Sequence, residues 1–376
     1  MSRPARARRP AWERLPLLLL GFVALFLGAG AGLARLGWTM PQVAAGAAAL
    51  HGPLMVCGFF GVVIAVERAV AIGRAWAYAG PLLAGIGTLA LLAGAGAAGA
   101  WLYFGGSVVL LIASLDVLRR QRTGFMLVIA LASACWCVGT ALWALGEPVH
   151  RMVGWWLAFL VLTIAGERLE LSRFMPPSPA ASRVFGVIVA LFFVTLVLWS
   201  KPWAVRVAGA SLLALAAWLF KQDIARRTVR QRGLTRFVAV CLLAGYVWLA
   251  LGGAVIAVAG LDPASASYDA ALHALMLGFV FSMVFGHAPI IFPAVLRVPV
   301  PYHPGFYAPL ALLHLAVALR VAGDGSGVYA LTRWGGMLAA LALLAFVLNT
   351  AAAVLRGVAE ARRAARGDAA RPAGRG

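Results

Sequence analysis

The sequence predicts an all-α, polytopic transmembrane bundle of about twelve helices. Three observations carry this prediction. Of the 376 residues, 63% are hydrophobic and only 12% charged, and the mean hydropathy is +0.92. Apolar runs of about 20 residues, the length that crosses a bilayer at ~1.5 Å rise per residue, recur along the chain. The segments between them are short, and many carry Pro or Gly, as at Pro176-Pro177, Pro202 and Gly260–Pro263. A soluble globular chain would be roughly 45–50% apolar and 25% charged. Disorder is excluded by the same hydrophobicity. A nucleic-acid-binding surface would need a water-exposed basic face over a modest core, so no nucleic acid is expected and the bilayer is the partner.

In order, the apolar runs span 15–36, 43–66, 77–97, 99–117, 124–145, 151–169, 183–200, 203–221, 235–260, 267–296, 305–322 and 331–356. Residues 1–14 and 357–376 form basic tails on either side of the 15–356 bundle. The basic run Arg3–Arg14 precedes the first helix, Arg119-Arg120-Arg122 follows the fourth, and Lys221–Arg236 separates the eighth from the ninth. About 26 of the 32 Lys and Arg residues fall at helix ends on one side, and the positive-inside rule makes that side cytoplasmic. The other six are Arg35, Arg151, Lys201, Arg206, Arg320 and Arg333. The formal charge of +20 is therefore a topology signal: a bacterial-type inner membrane with both termini inside. The first apolar run is too long for a signal-peptide core and reads as a retained helix. Its Arg cluster could also touch anionic lipid.

The four cysteines lie inside predicted spans. Cys135 and Cys137 point about 200° apart on a helix and make a poor chelate. Histidines carry more information, because ionisable groups in a membrane are costly and usually functional or paired. His51 sits early in the second helix and His273 early in the tenth. Both helices run in the same direction, so the two imidazoles reach matching depth near the outer surface. That arrangement can hold a haem iron from two sides. Small neighbours, in Ala48-Ala49-Leu50-His51-Gly52 and Ala270-Ala271-Leu272-His273-Ala274, leave room for a macrocycle edge or for close helix packing. With no Cys-x-x-Cys-His motif, the haem would be non-covalent haem b.

His287 follows His273 by 14 residues, which on a regular α-helix returns it to nearly the same face about 21 Å further on. His314, on the eleventh helix, reaches a similar depth and could pair with it around a second cofactor. Pro289 and Pro293 distort the helix there, and a His capping freed carbonyls is the plainer account. His150 reads as an interfacial residue beside Glu147 and Arg151, and His303 as a loop residue. Glu67-Arg68 and Glu167-Arg168 end the second and sixth helices, either as local ion pairs or as proton entry points. Asp269 either caps the tenth helix or accepts a bond from a neighbour. The second, sixth and tenth helices share a His near the outer end, a Gly/aromatic middle and an Arg after the inner end. Their spacing predicts three four-helix arcs around a pseudo-threefold axis.

These features resemble the catalytic subunit of the haem-copper oxidases. Its plan has twelve helices, a haem-ligand His early in the second and another early in the tenth. The stretch from Asp269 through His273, Gly278, Gly286-His287 and Phe292-Pro293 is similar to that family's tenth helix. His51 with Gly52 and Met55 is similar to its low-spin haem ligand region. The chain more closely resembles the NnrS family of twelve-helix haem proteins associated with nitric oxide stress, whose late helix carries a similar His-Ala-Leu run. The resemblance implies electron relay, or nitric oxide sensing or detoxification, and a redox partner or respiratory complex. The copper-site histidines are missing. The sixth helix has no interior His, the seventh has none, and Ala271-Leu272 precede His273, so copper and a binuclear centre are not expected. Whether the chain is an enzyme is left open. A cofactor-free proton-coupled transporter and an assembly subunit of a respiratory complex are the rival readings.

Overall fold

The structure, a computed structural model, describes residues 11–171 and 177–369. Of the two basic tails, residues 1–10 and 370–376 lie outside the described residues. No strand occurs among the described residues, and twelve helices are long and apolar enough to cross a membrane. They are α1 (Trp12–Arg35), α2 (Ala48–Ile72), α3 (Ala75–Leu92), α4 (Gly96–Arg120), α5 (Gly124–Ala144) and α6 (Val149–Leu171). After them come α7 (Pro179–Val197), α8 (Pro202–Gln222), α9 (Gly233–Ala259), α10 (Ala266–Leu296), α11 (Pro304–Ser326) and α12 (Tyr329–Arg363).

Local chemistry sets many of the ends. Ser178 and Ser265 cap α7 and α10, their hydroxyls accepting from the N–H groups of Ala181 and Tyr268. Pro16, Pro179 and Pro202 occupy first turns, where the missing N–H costs nothing. Gly73 and Gly327 close α2 and α11 in the left-handed conformation. The expected second helix, 43–66, is divided. Gln42–Gly46 forms a separate short helix, and α2 begins only at Ala48, so His51 stands in the first turn of the crossing segment.

Sequence-adjacent helices pack against each other, most extensively α11 on α12, α8 on α9 and α5 on α6. Burial separates centre from rim. In the most apolar stretch of each helix, 78% of α6 and 67% of α10 are buried, against 28% of α7. The core is therefore built around α6 and α10, with α2 beside them through Phe59, Phe60 and Phe281. The small-residue contact of α8 with α9 brings the two backbones into close approach. A Cβ at Gly209 would collide with the backbone of Gly253 and Ala257.

Two helices depart from α geometry at equivalent places. In α2 the segment Leu54–Phe60 is π-helical, and in α10 the segment Ala274–Phe281 is too. Each begins within three residues of a histidine, and such wide turns concentrate at functional sites.

Candidate functional site: two imidazoles at one end of the bundle

α2 and α10 bring His51 and His273 together. Their ring centroids are 6.2 Å apart and their planes 12° from parallel. Each ring is held by its Nδ1–H. That of His51 donates to the Gly28 carbonyl at 2.7 Å, and that of His273 donates to the Asp269 carbonyl at 2.9 Å. With Nδ1 protonated, the lone pair belongs to Nε2, and neither Nε2 has a hydrogen-bond partner among the described residues. A histidine fixed through one nitrogen with the other free is the usual form of a metal ligand. Close packing helps hold the first ring, since a Cβ at Gly32 would lie 2.8 Å from His51 Cε1.

Both rings open on a cavity of about 680 Å³, inside the range of roughly 300–1,000 Å³ typical of small-molecule sites. Its walls include Met55, Phe60, Trp156, Met276 and Phe281, and its charged lining is Arg35, Asp269, Arg320 and Asp324. Two imidazoles bound end-on to one iron would have metal–nitrogen bonds of about 2 Å, and about 1 Å more from each nitrogen to its ring centre, placing the centroids about 6 Å apart. The ring separation, the free Nε2 atoms, the apolar walls and the Arg35 guanidinium suit a haem with carboxylate side chains.

Asp269 ties this site to α11. Ser265 provides the cap of α10, leaving the Asp269 carboxylate to accept from Arg320 Nε at 2.9 Å and Nη2 at 2.8 Å. Its other oxygen is 3.3 Å from His273 Nδ1. Arg320 is thereby a partner of the site, buried to 8% exposure, rather than a stray outer cation.

A family described as a domain of unknown function, DUF8744, matches residues 14–355. The chain belongs to that family. Comparison with curated proteins gives no match. The DUF8744 match runs from the start of α1 into α12, so the paired histidines and the rest of the core lie within it.

The other expected groups of this DUF8744 protein fall elsewhere. The structure does not bring His287 and His314 together. His314 Nδ1 accepts from Trp248 Nε1 at 2.9 Å, and its Nε2 is 3.3 Å from Ser282 Oγ. Ser282 and His287 are five residues apart, about 140° around the helix, so His314 meets a different face. Nor do His273 and His287 share a cavity. The π-helical segment between them inserts a residue into the turn, displacing later side chains by about 100°. His287 instead lines a smaller chamber, of about 100 Å³, with Glu67 and Glu167.

Neither glutamate forms an ion pair with its neighbouring arginine. Arg168 is bound to Asp223, with Nε–Oδ2 at 2.7 Å and Nη2–Oδ1 at 3.0 Å. Tyr246 donates its hydroxyl to the same carboxylate at 2.7 Å, as does the Ala225 N–H. This buried network joins α6, the α8–α9 connection and α9. Sequence reading missed Asp223, although an acid inside the otherwise basic run Lys221–Arg236 was the available signal. His150 is exposed beside the Glu147–Arg151 ion pair. His303 accepts from the Gly305 N–H ahead of α11, and burial together with the nearby Arg356 guanidinium lowers its pKa.

Proposed function

We propose that this protein is a haem b-binding integral membrane protein, with His51 and His273 as the residues that would hold the haem iron. The observation that carries the reading is the imidazole pair, 6.2 Å apart and each anchored through Nδ1 to a backbone carbonyl. A bound haem would supply one-electron transfer and, with one histidine released, a site for a diatomic gas. The chain's own residues set the conditions. The carbonyls of Gly28 and Asp269 fix tautomer and ring orientation, and Phe60 and Phe281 exclude water. The exposed Arg35 offers positive charge to a carboxylate, Arg320 being paired with Asp269. Electron relay or a nitric oxide response is the activity proposed, the latter on the resemblance to the NnrS family. The proposal does not include a binuclear centre, because the sixth and seventh helices lack the histidines that hold copper in the family the chain resembles.

The proposal extends to topology. The concentration of Lys and Arg at one set of helix ends supports an inner-membrane protein with both termini cytoplasmic. The contacts of α10 with α2 and α6, three helices that stand four apart in the chain, support a pseudo-threefold arrangement of four-helix arcs.

The test is spectroscopic. Protein expressed with ample haem and purified in mild detergent is expected to give a b-type reduced-minus-oxidised spectrum and a pyridine haemochrome. His51→Ala and His273→Ala are each expected to lose it while eluting as wild type on size exclusion. Wild-type protein without haem would overturn the proposal, and spectra unchanged by both substitutions would move the ligands elsewhere.

A further inference from the structure

The second chamber holds a chemical problem that the paired histidines do not address. His287 donates its Nδ1–H to the Met283 carbonyl at 2.7 Å, so its Nε2 is an acceptor. That Nε2 is fully buried and has no hydrogen-bond partner among the described residues. An unsatisfied buried acceptor costs about 1–3 kcal/mol. Phe22, Phe59 and Phe292 line the same space and can donate nothing to it. The polar groups that do line it are Glu67 from α2, Thr163 and Glu167 from α6, and His287 itself. The Thr163 hydroxyl is already spent on the Phe159 carbonyl, at 2.7 Å. Glu67 and Glu167 lie on the last turns of their helices, at the end of the bundle away from His51 and His273.

We propose that His287, Glu67 and Glu167 form a proton-binding site, reached from the α2/α6 C-terminal end of the bundle. A cavity of about 100 Å³ has room for several waters, each of which needs roughly 10–15 Å³ of such space. A proton taken from solution comes to rest on one of the two glutamates, whose carboxyl O–H then donates through that water to His287 Nε2. The product is a protonated carboxyl beside one remaining carboxylate, with His287 neutral and its Nδ1–H still on Met283, so uptake removes one of the chamber's two negative charges. Other charged groups nearby are Arg68 on α2, Arg168 and Glu170 on α6, and Asp223 beside α8. Asp223 neutralises Arg168, which leaves Arg68 as the closest counter-charge to the two glutamates. The ligand is a proton rather than a divalent metal. Among the described residues no group of three or more His, Cys, Asp or Glu side chains has metal-binding geometry.

Infrared difference spectroscopy of the purified full chain across a pH series tests this independently of haem. The expected signal is a protonated-carboxyl band that shifts in deuterated water. Glu67→Gln and Glu167→Gln should each remove part of it, and His287→Gln should move its midpoint by about one pH unit. The same series in His51→Ala protein should keep the band, so loss of haem and loss of this site are told apart. A band insensitive to both glutamate substitutions, a midpoint unmoved by His287→Gln, or a midpoint set by sodium concentration instead of pH would each overturn the proposal.

Discussion

His51 and His273 each give one nitrogen to a carbonyl and leave the other facing open space, a pattern shared by His287, whereas both His314 nitrogens have protein partners. What sets the first two apart is that they face each other at 6.2 Å. Asp269 adds a carboxylate 3.3 Å behind His273. Outer-shell partners of this kind typically change metal affinity about 10–100-fold. Asp269→Asn is therefore expected to weaken haem retention by about that factor while preserving the b-type spectrum, as haem transfer to apomyoglobin would measure. The pair itself was legible in the sequence, because depth in a membrane follows from counting residues along two helices of known direction. Asp223 was not legible. It lies outside the apolar runs, and its partner Arg168 is 55 residues away. Burial alone would raise the Asp223 carboxyl, but Arg168, Tyr246 and the Ala225 N–H together hold it below its ordinary value. A carboxylate depressed in the folded state adds stability above its unfolded value of about 3.9 and loses it as pH falls through the folded one. Thermal unfolding of detergent-solubilised wild type should become acid-sensitive in that window, and Asp223→Asn should flatten the response. Removing one partner altogether, as in Asp223→Ala, should cost about 3–5 kcal/mol, because Arg168 is left buried and unpaired.

At the scale of the helix, the number and order of the spans followed from hydropathy, with ends displaced by up to seven residues, but their internal geometry did not. The expectation that His273 and His287 share a face rested on an unbroken step of about 100° per residue. The π-helical Ala274–Phe281 breaks that step, and no Pro within it announces the change. Helix α2 does carry Pro53 at the start of its own wide turn, a signal that could have been read. Where helices touch through backbone, the sequence showed only small residues, and the structure gives the consequence. At Gly209, where a Cβ would strike α9, Gly209→Val should destabilise the protein by about 1–3 kcal/mol through overpacking. The exposed Gly186 on α7, whose Cβ would meet nothing within 4 Å, should tolerate the same change. Thermal unfolding of the two variants side by side is the check.

Across the whole molecule, the proposed topology has twelve crossings and both termini cytoplasmic, so the chain returns to the side from which it started. Fusions of a fluorescent reporter to the C-terminus should therefore be active in the cytoplasm, and a periplasm-dependent reporter placed at Asp262 should be active outside. The two chambers sit at opposite ends of one central helix group, α2, α6 and α10, with Phe60 in the wall of both. The wide turn of α10 lies between them, and this gives chain length a role apart from side-chain chemistry. Deleting one residue within 274–281 would let α10 relax to ordinary α geometry and turn everything beyond it by about 100°. His273 would keep its place while His287 swung out of its chamber, with no residue of either site replaced. The extra residue works as a phase adjuster, letting each end of one helix address its own compartment.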